Sequence, residues 1–227
     1  MNSTALLKAL DAKTVFTLSD VSRLVSSRKY AKQVLHRLKK RGLIQRVTKN
    51  VYTTKDNAYS IASHISTPSY ISFWSASSFL GYTEQLLHIV HVATTRKIHP
   101  VLFNTYKIVF IPIKEFYGYT KFNTDYGELF LVEPEKLLID CFLRYKLMGN
   151  FDEIVKVFEK AEISKEKIVE YLRRVKKQSV IKRVGYLLEK VRNIDISMHF
   201  TLDTNYMPLN PFSKKQTTSN AKWKVKT

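Results

Sequence analysis

Between Arg23 and Lys49 the chain carries ten Lys or Arg residues and not one Asp or Glu. A run of unpaired charges is too costly to bury, so it must lie on the outside of elements whose apolar positions carry the folding. Those positions are present. Ala31, Val34, Leu35 and Leu38 recur at helical spacing, Gly42 stands where helices commonly stop, and Leu43-Ile44-Gln45-Arg46-Val47 alternates like a strand. A tip of Thr48-Lys49-Asn50 leads to a second short strand, Val51-Tyr52-Thr53-Thr54. The segment reads as the second half of a helix-turn-helix followed by a two-stranded wing. A one-sign cluster on such a helix is the electrostatic footprint of phosphate recognition, which makes nucleic acid the first expected partner.

The residues before it complete the module. Ser3 or Thr4 is expected to cap a first helix carrying Leu6, Leu7 and Leu10, and Ser19 a second, with Asp20 in its positive first turn and Val21, Leu24 and Val25 inside. Ser26-Ser27 breaks that pattern, and Ser27 caps a third helix over residues 28–41. Opposite its apolar stripe run Lys29, Gln33, His36 and Lys40, flanked by Lys32 and Arg37. In a major groove that outer stripe meets base edges first near the helix N-terminus, where Ser27 and Arg28 also stand. Gln33 can pair bidentately with adenine, Lys29 can reach guanine or phosphate, and Arg46 and Lys49 of the wing lie along phosphates or in the minor groove. The plain alternative is a solvated basic face on a small helical core.

The 227 residues and 44% hydrophobic content suffice for one or two cored domains, and the formal net charge of +19 calls for a polyanionic partner. No run reaches the roughly 18–20 apolar residues of a spanning helix, and the N-terminus lacks a signal-peptide pattern, so no membrane partner and a cytoplasmic location are the default expectations. The single cysteine, Cys141, excludes an intrachain disulfide and a multi-cysteine zinc site.

Beyond residue 55 the pattern is mixed. A connecting helix over residues 57–65, a boundary at Thr67-Pro68 and a helix over 72–80 ending at Gly81 precede strands at 89–94, 106–113, 116–122 and 128–132. Helices return from Pro134 and over 151–161, 164–175 and 180–191. The expected class is α+β: a winged helix-turn-helix over residues 1–55, then a mixed domain over 56–227 with a clustered small sheet, a helical end and a tail from about residue 200.

Four stretches carry a resemblance: SYISFWSASSFLGYTEQ at 69–85, VATT at 92–95, FLVEPEKLLID at 130–140, and YMPLNP at 206–211 with the later Trp223. In this order they resemble the AbiEi family of antitoxins from type IV toxin-antitoxin systems. The resemblance implies an N-terminal winged helix-turn-helix that binds inverted repeats in its own promoter and represses it. It also implies a C-terminal domain that counters a nucleotidyltransferase-like toxin, with monomer or homodimer on the DNA left open. Asn50 stands where that family often has Gly, and Asn tolerates the left-handed conformation such a turn needs.

Catalytic and metal patterns are weak. His88 and His91 sit three apart on an expected strand and so point to opposite faces, Cys141 lies on an apolar helix face, and Asp140, Glu133 and Glu135 read as carboxylates placed around a helix start. No phosphate-binding, hydrolase or kinase signature occurs, so neither enzyme activity nor a cofactor is expected. Tyr70, Phe73, Trp74, Phe79 and Tyr82 could stack on unpaired bases, but their helical spacing favours a core. Arg173, Arg174, Lys176, Lys177, Lys182 and Arg183 form a second basic strip for flanking DNA, an acidic partner or solvent. The readings are therefore a duplex-DNA autorepressor with antitoxin function, an RNA- or single-strand-binding module, and an antitoxin that grips its toxin directly with DNA binding secondary.

Overall fold

A computed structural model of the chain describes every residue except Met1, Asn2, Tyr126, Lys214 and Gln216. The chain divides into two compact units: Met1–Ile71 with His88–Ile113 and Lys121–Leu131, and Ser72–Leu87 with Lys114–Thr120 and Val132–Thr227. The architecture is α+β, with an N-terminal helical cluster and wing ahead of a clustered sheet and a helical region.

The first unit begins with α1 (Ser3–Asp11), β1 (Phe16–Thr17), α2 (Leu18–Leu24), α3 (Arg28–Lys40), β2 (Gln45–Thr48) and β3 (Val51–Thr53). Its core is built from the positions the helical spacing selects: Leu6 and Leu10 of α1, Phe16, Val21 of α2, and Ala31, Val34, Leu35 and Leu38 of α3, with Ile44 below the wing. Each large apolar side chain so buried contributes about 1.5–3 kcal/mol. The caps differ from expectation at two helices. Ser3 and Thr4 are already inside α1, and the position before it lies outside the described residues. α2 is capped by Thr17, not Ser19: the Thr17 hydroxyl accepts from the Asp20 N–H while the Asp20 carboxylate accepts from the Thr17 N–H. This reciprocal box satisfies two end groups at once, which a cap at Ser19 would leave open.

The wing is a three-stranded sheet in the order β1-β3-β2, both pairings antiparallel. A register shift between Arg46 and Thr48 places a bulge at buried Val47. β1 is too short to leave a periodic signal, so sequence alone gives only a two-stranded wing.

A short helix α4 (Ala58–Ala62) follows, half the length expected, then β4 (Ser69–Ile71). α5 (Phe73–Phe79) belongs to the second unit; β5 (Ile89–Thr94), β6 (Val101–Phe103), β7 (Tyr106–Pro112), β8 (Tyr119–Thr124) and β9 (Gly127–Val132) complete a six-stranded sheet in the order β6-β7-β5-β4-β9-β8. β5 runs parallel to β7 and antiparallel to β4, and β4 runs parallel to β9. β4 and β6, three residues each, escape a reading by alternation, and β8 lies three residues later than expected. α4 packs on β5 and β7, and β6 packs beside β2 of the wing.

The second unit is largely helical: α6 (Pro134–Leu143), α7 (Phe151–Lys160), α8 (Lys165–Arg173) and α9 (Gln178–Arg192), followed by a tail with β10 (Met207–Pro208), β11 (Ser219–Asn220) and β12 (Val225–Lys226). The tail is held as core. Trp223 is fully buried, lies against Gly185 of α9, and donates its indole N–H to Glu189. Two cations of the expected second basic strip hold it there: Lys182, 1% exposed, donates to Asp203 and to the Asn205 carbonyl, and Arg183 donates to the Pro208 carbonyl at 2.9 Å. The strip is therefore reduced to Arg173, Arg174, Lys176 and Lys177, all exposed.

Asp140 also departs from expectation. It sits in the second half of α6, completely buried, where it accepts from the Ser72 hydroxyl at 2.7 Å and from the equally buried Lys136 ammonium one turn earlier. Burial pushes its carboxyl up from the usual range, against the pull of Lys136 and Ser72. The pair is part of the internal framework of this unit, and removing one partner would strand the other charge.

Candidate nucleic-acid interface

α3 is a 13-residue helix capped at both ends by its own sequence. The Ser27 hydroxyl accepts from the Tyr30 N–H at 3.1 Å, and Gly42, at φ +70°, closes the other end through bonds from Gly42 N–H to Lys39 O and Leu43 N–H to Leu38 O, both 3.0 Å. Only a residue tolerant of positive φ makes that closure. Ser27, Arg28, Lys29, Lys32, Gln33, His36, Arg37 and Lys40 are all exposed, as are Arg46 and Lys49 of the wing.

The structure sorts these side chains more finely than a helical wheel does. A groove of about 390 Å³ between α3 and the wing is lined by Lys32, His36, Lys39, Arg46, Asn50 and Tyr52. Arg37 and Lys40 instead line a hollow on the α1 side, with Arg41, Tyr30 and Leu6. Gln33 lies between, in an open patch with Tyr30, Lys32, His36 and Arg37, where the Arg37 guanidinium sits 5.5 Å from the centre of the Tyr30 ring. His36 and Lys40, neighbours on one predicted stripe, thus face different ways. Lys39 joins the wing groove, although it was not among the expected contacts. Its signal is present in the sequence: Lys32, His36 and Lys39 stand at i, i+4 and i+7, a stripe as regular as that of Lys29, Gln33, His36 and Lys40.

The wing is tied to the helix-turn-helix at its tip. Asn50 adopts φ +62° and its side-chain oxygen accepts from the Leu18 N–H at 3.2 Å, while Arg46 donates to the Thr48 carbonyl at 3.2 Å. Phe16 and Tyr52 stack with ring centres 6.2 Å apart beneath it. Among the described residues, no cation between Arg23 and Lys49 pairs with a carboxylate. The acids of this region are engaged elsewhere, Asp11 with Lys55 at 2.8 Å and Asp20 with Lys13. Burial opposes the charged form of Asp20, but Lys13 and Thr17 outweigh it and hold the carboxyl down to about 2. The result is a groove and helix face with uncompensated positive charge on a packed and hydrogen-bonded support, suited to a row of phosphates.

The other expected sites do not assemble. His88 is exposed beside the Tyr106 ring, whereas His91 is buried in β5, where burial pushes its imidazole down to about 4. Among the described residues no group of three or more His, Cys, Asp or Glu side chains could hold a metal ion, and no helix is long and apolar enough to cross a membrane. Cys141 is buried, which raises its thiol well above the usual value. Tyr70 and Phe73 are fully buried, and Trp74, Phe79 and Tyr82 are partly so.

No protein-family model matches the chain, and no curated protein matches it in sequence. Among solved structures it is similar to the crystal structure of the RV2827C protein from Mycobacterium tuberculosis, with a TM-score of 0.64 and 14% identity over 98% of this chain and 88% of that one. At that identity the two share a fold over nearly their whole lengths.

Proposed function

We propose that the chain is a sequence-specific, duplex-DNA-binding regulator that represses its own promoter and serves as an antitoxin against a nucleotidyltransferase-like toxin. The observation that carries the first half is the wing groove: Lys32, His36, Lys39 and Arg46 converge on it with no carboxylate among its lining residues. Residues 1–55 carry the readout, with Gln33 and Lys29 reaching bases and the flanking cations reaching phosphates. The second half rests on the resemblance of residues 69–85, 92–95, 130–140 and 206–211 to AbiEi antitoxins, and assigns neutralisation to residues 56–227. In this reading the protein works in the cytoplasm by binding alone, without catalysis or cofactor, as a monomer or homodimer on an inverted repeat. Full burial of Tyr70 and Phe73, with Trp74, Phe79 and Tyr82 half-buried, reduces the stacking platform that a single-strand-binding module would use, which favours duplex.

The deciding experiment is competition of the full chain for its own promoter duplex against scrambled duplex and single strands. Preference in that order supports the reading, and equal competition by single strands overturns it. For the antitoxin half, co-expression with the nucleotidyltransferase-like product of a neighbouring gene should restore growth. Rescue that survives deletion of residues 56–227 would refute that assignment.

A further inference from the structure

The first unit carries positive charge beyond the helix-turn-helix. Its segment His88–Ile113 contains Arg96, Lys97 and Lys107 and no acidic residue. Arg96 and Lys97 lie on the loop 95–100, which runs directly into β6, the strand that packs beside β2 of the wing. The loop is built. The buried Thr94 hydroxyl accepts from the Arg96 N–H and donates to the Pro68 carbonyl, both at 3.3 Å, and Ile98 is half-buried between exposed neighbours. The two cations are thereby presented to solvent from a fixed backbone, and among the described residues neither has a carboxylate partner.

Among the described residues, no acid of the same unit pairs with them. Asp11 is held by Lys55, Asp20 by Lys13, Glu128 by Lys121 and Asp56 by the Gln45 amide, while Asp125 lines one hollow with Asp56. A nucleic-acid backbone is a line of phosphates that continues past the groove the wing enters, and two exposed cations on an anchored loop leading into the strand beside the wing can meet it there.

We propose that the loop 95–100 is a second phosphate-contacting element that flanks the wing, with Arg96 and Lys97 as its contacts and duplex DNA as its ligand. The proposal rests on the duplex-binding reading of α3 and the wing and extends the footprint outward. It adds affinity and salt dependence, not base readout.

The test is the salt dependence of binding of the full chain to a random-sequence 40-base-pair duplex. Loss of two phosphate contacts in R96Q/K97Q should reduce the log–log salt slope by about 2, so that between about 50 and 200 mM salt the variant loses roughly tenfold less affinity than the unaltered chain. The charge-preserving R96K/K97R should keep the original slope, as should K165Q/K190Q, which removes two exposed cations of the second unit that lie outside its basic strip. A slope unchanged in R96Q/K97Q but lowered in K32Q/K39Q overturns the loop assignment and leaves the α3 reading standing. An equal drop in K165Q/K190Q overturns it too, by showing a general charge effect. Failure of the unaltered chain to bind the duplex overturns both.

Discussion

The side-chain oxygen of Asn50, at the tip of the wing, accepts a hydrogen bond from the backbone N–H of Leu18 at the start of α2. One residue therefore makes the left-handed turn of the wing and fastens that turn to the helix-turn-helix. Asn50→Gly keeps the turn and loses the tie, for an expected cost of about 0.5–1.5 kcal/mol. Asn50→Val loses both and should cost more, because a β-branched residue at positive φ is strained. Urea titration of the two variants orders them, and equal stability would show that the backbone conformation at this position carries no weight.

Lys32 and Lys39 line the wing groove from α3. The double variant K32Q/K39Q should lower the salt slope of duplex binding by about 2 while leaving the fold intact, since both side chains are exposed. Gln33→Ala should instead change which duplex is preferred more than it changes affinity for random sequence. A slope that does not move would remove the groove from the interface.

His91 sets an acid sensitivity. Its folded value near 4 lies below the ordinary 6.5, so the neutral ring's contribution is complete above about pH 6.5. As pH falls below that, the unfolded chain takes up the proton first and stability drops, until the folded ring also titrates near pH 4. His91→Phe should flatten the fall between pH 6.5 and 4, which for the unaltered chain is about 3 kcal/mol, of which about 2 is lost by pH 5. Denaturant midpoints at pH 7 and pH 5 provide the check; the same fall in the variant would assign the acid sensitivity elsewhere.

Gly185 lies within α9, where alanine would ordinarily stabilise by about 1 kcal/mol. Here an added Cβ would overlap the Trp223 ring. Gly185→Ala is therefore expected to destabilise by about 1–3 kcal/mol and to alter the near-ultraviolet signal of Trp223. A stabilised variant would mean that the tail can leave the helix at little cost.

These positions show what was legible. The inner face of α3 was readable because Ala31, Val34, Leu35 and Leu38 repeat with the helical period, and Gly42 marked its end. The exposed set was readable as a set, but not its division, because a helical wheel has no wing: whether Lys39 or Lys40 faces the groove depends on where β2 and β3 come to lie. Three-residue strands such as β4 and β6 hold too few positions for alternation, and their partners lie far along the chain.

Spacing and local backbone preference act over a few residues, and they suffice to specify a strongly basic helix with an apolar inner face that ends at Gly42 and turns through Asn50 into a wing. Burial of Lys182, Arg183, Lys136 and Asp140, capping of α2 by Thr17, and the groove that Lys39 shares with Arg46 emerge from packing between distant segments. A charged residue looks the same in sequence whether it faces water, a carboxylate or a carbonyl. Which it meets is set by chain segments tens of residues away.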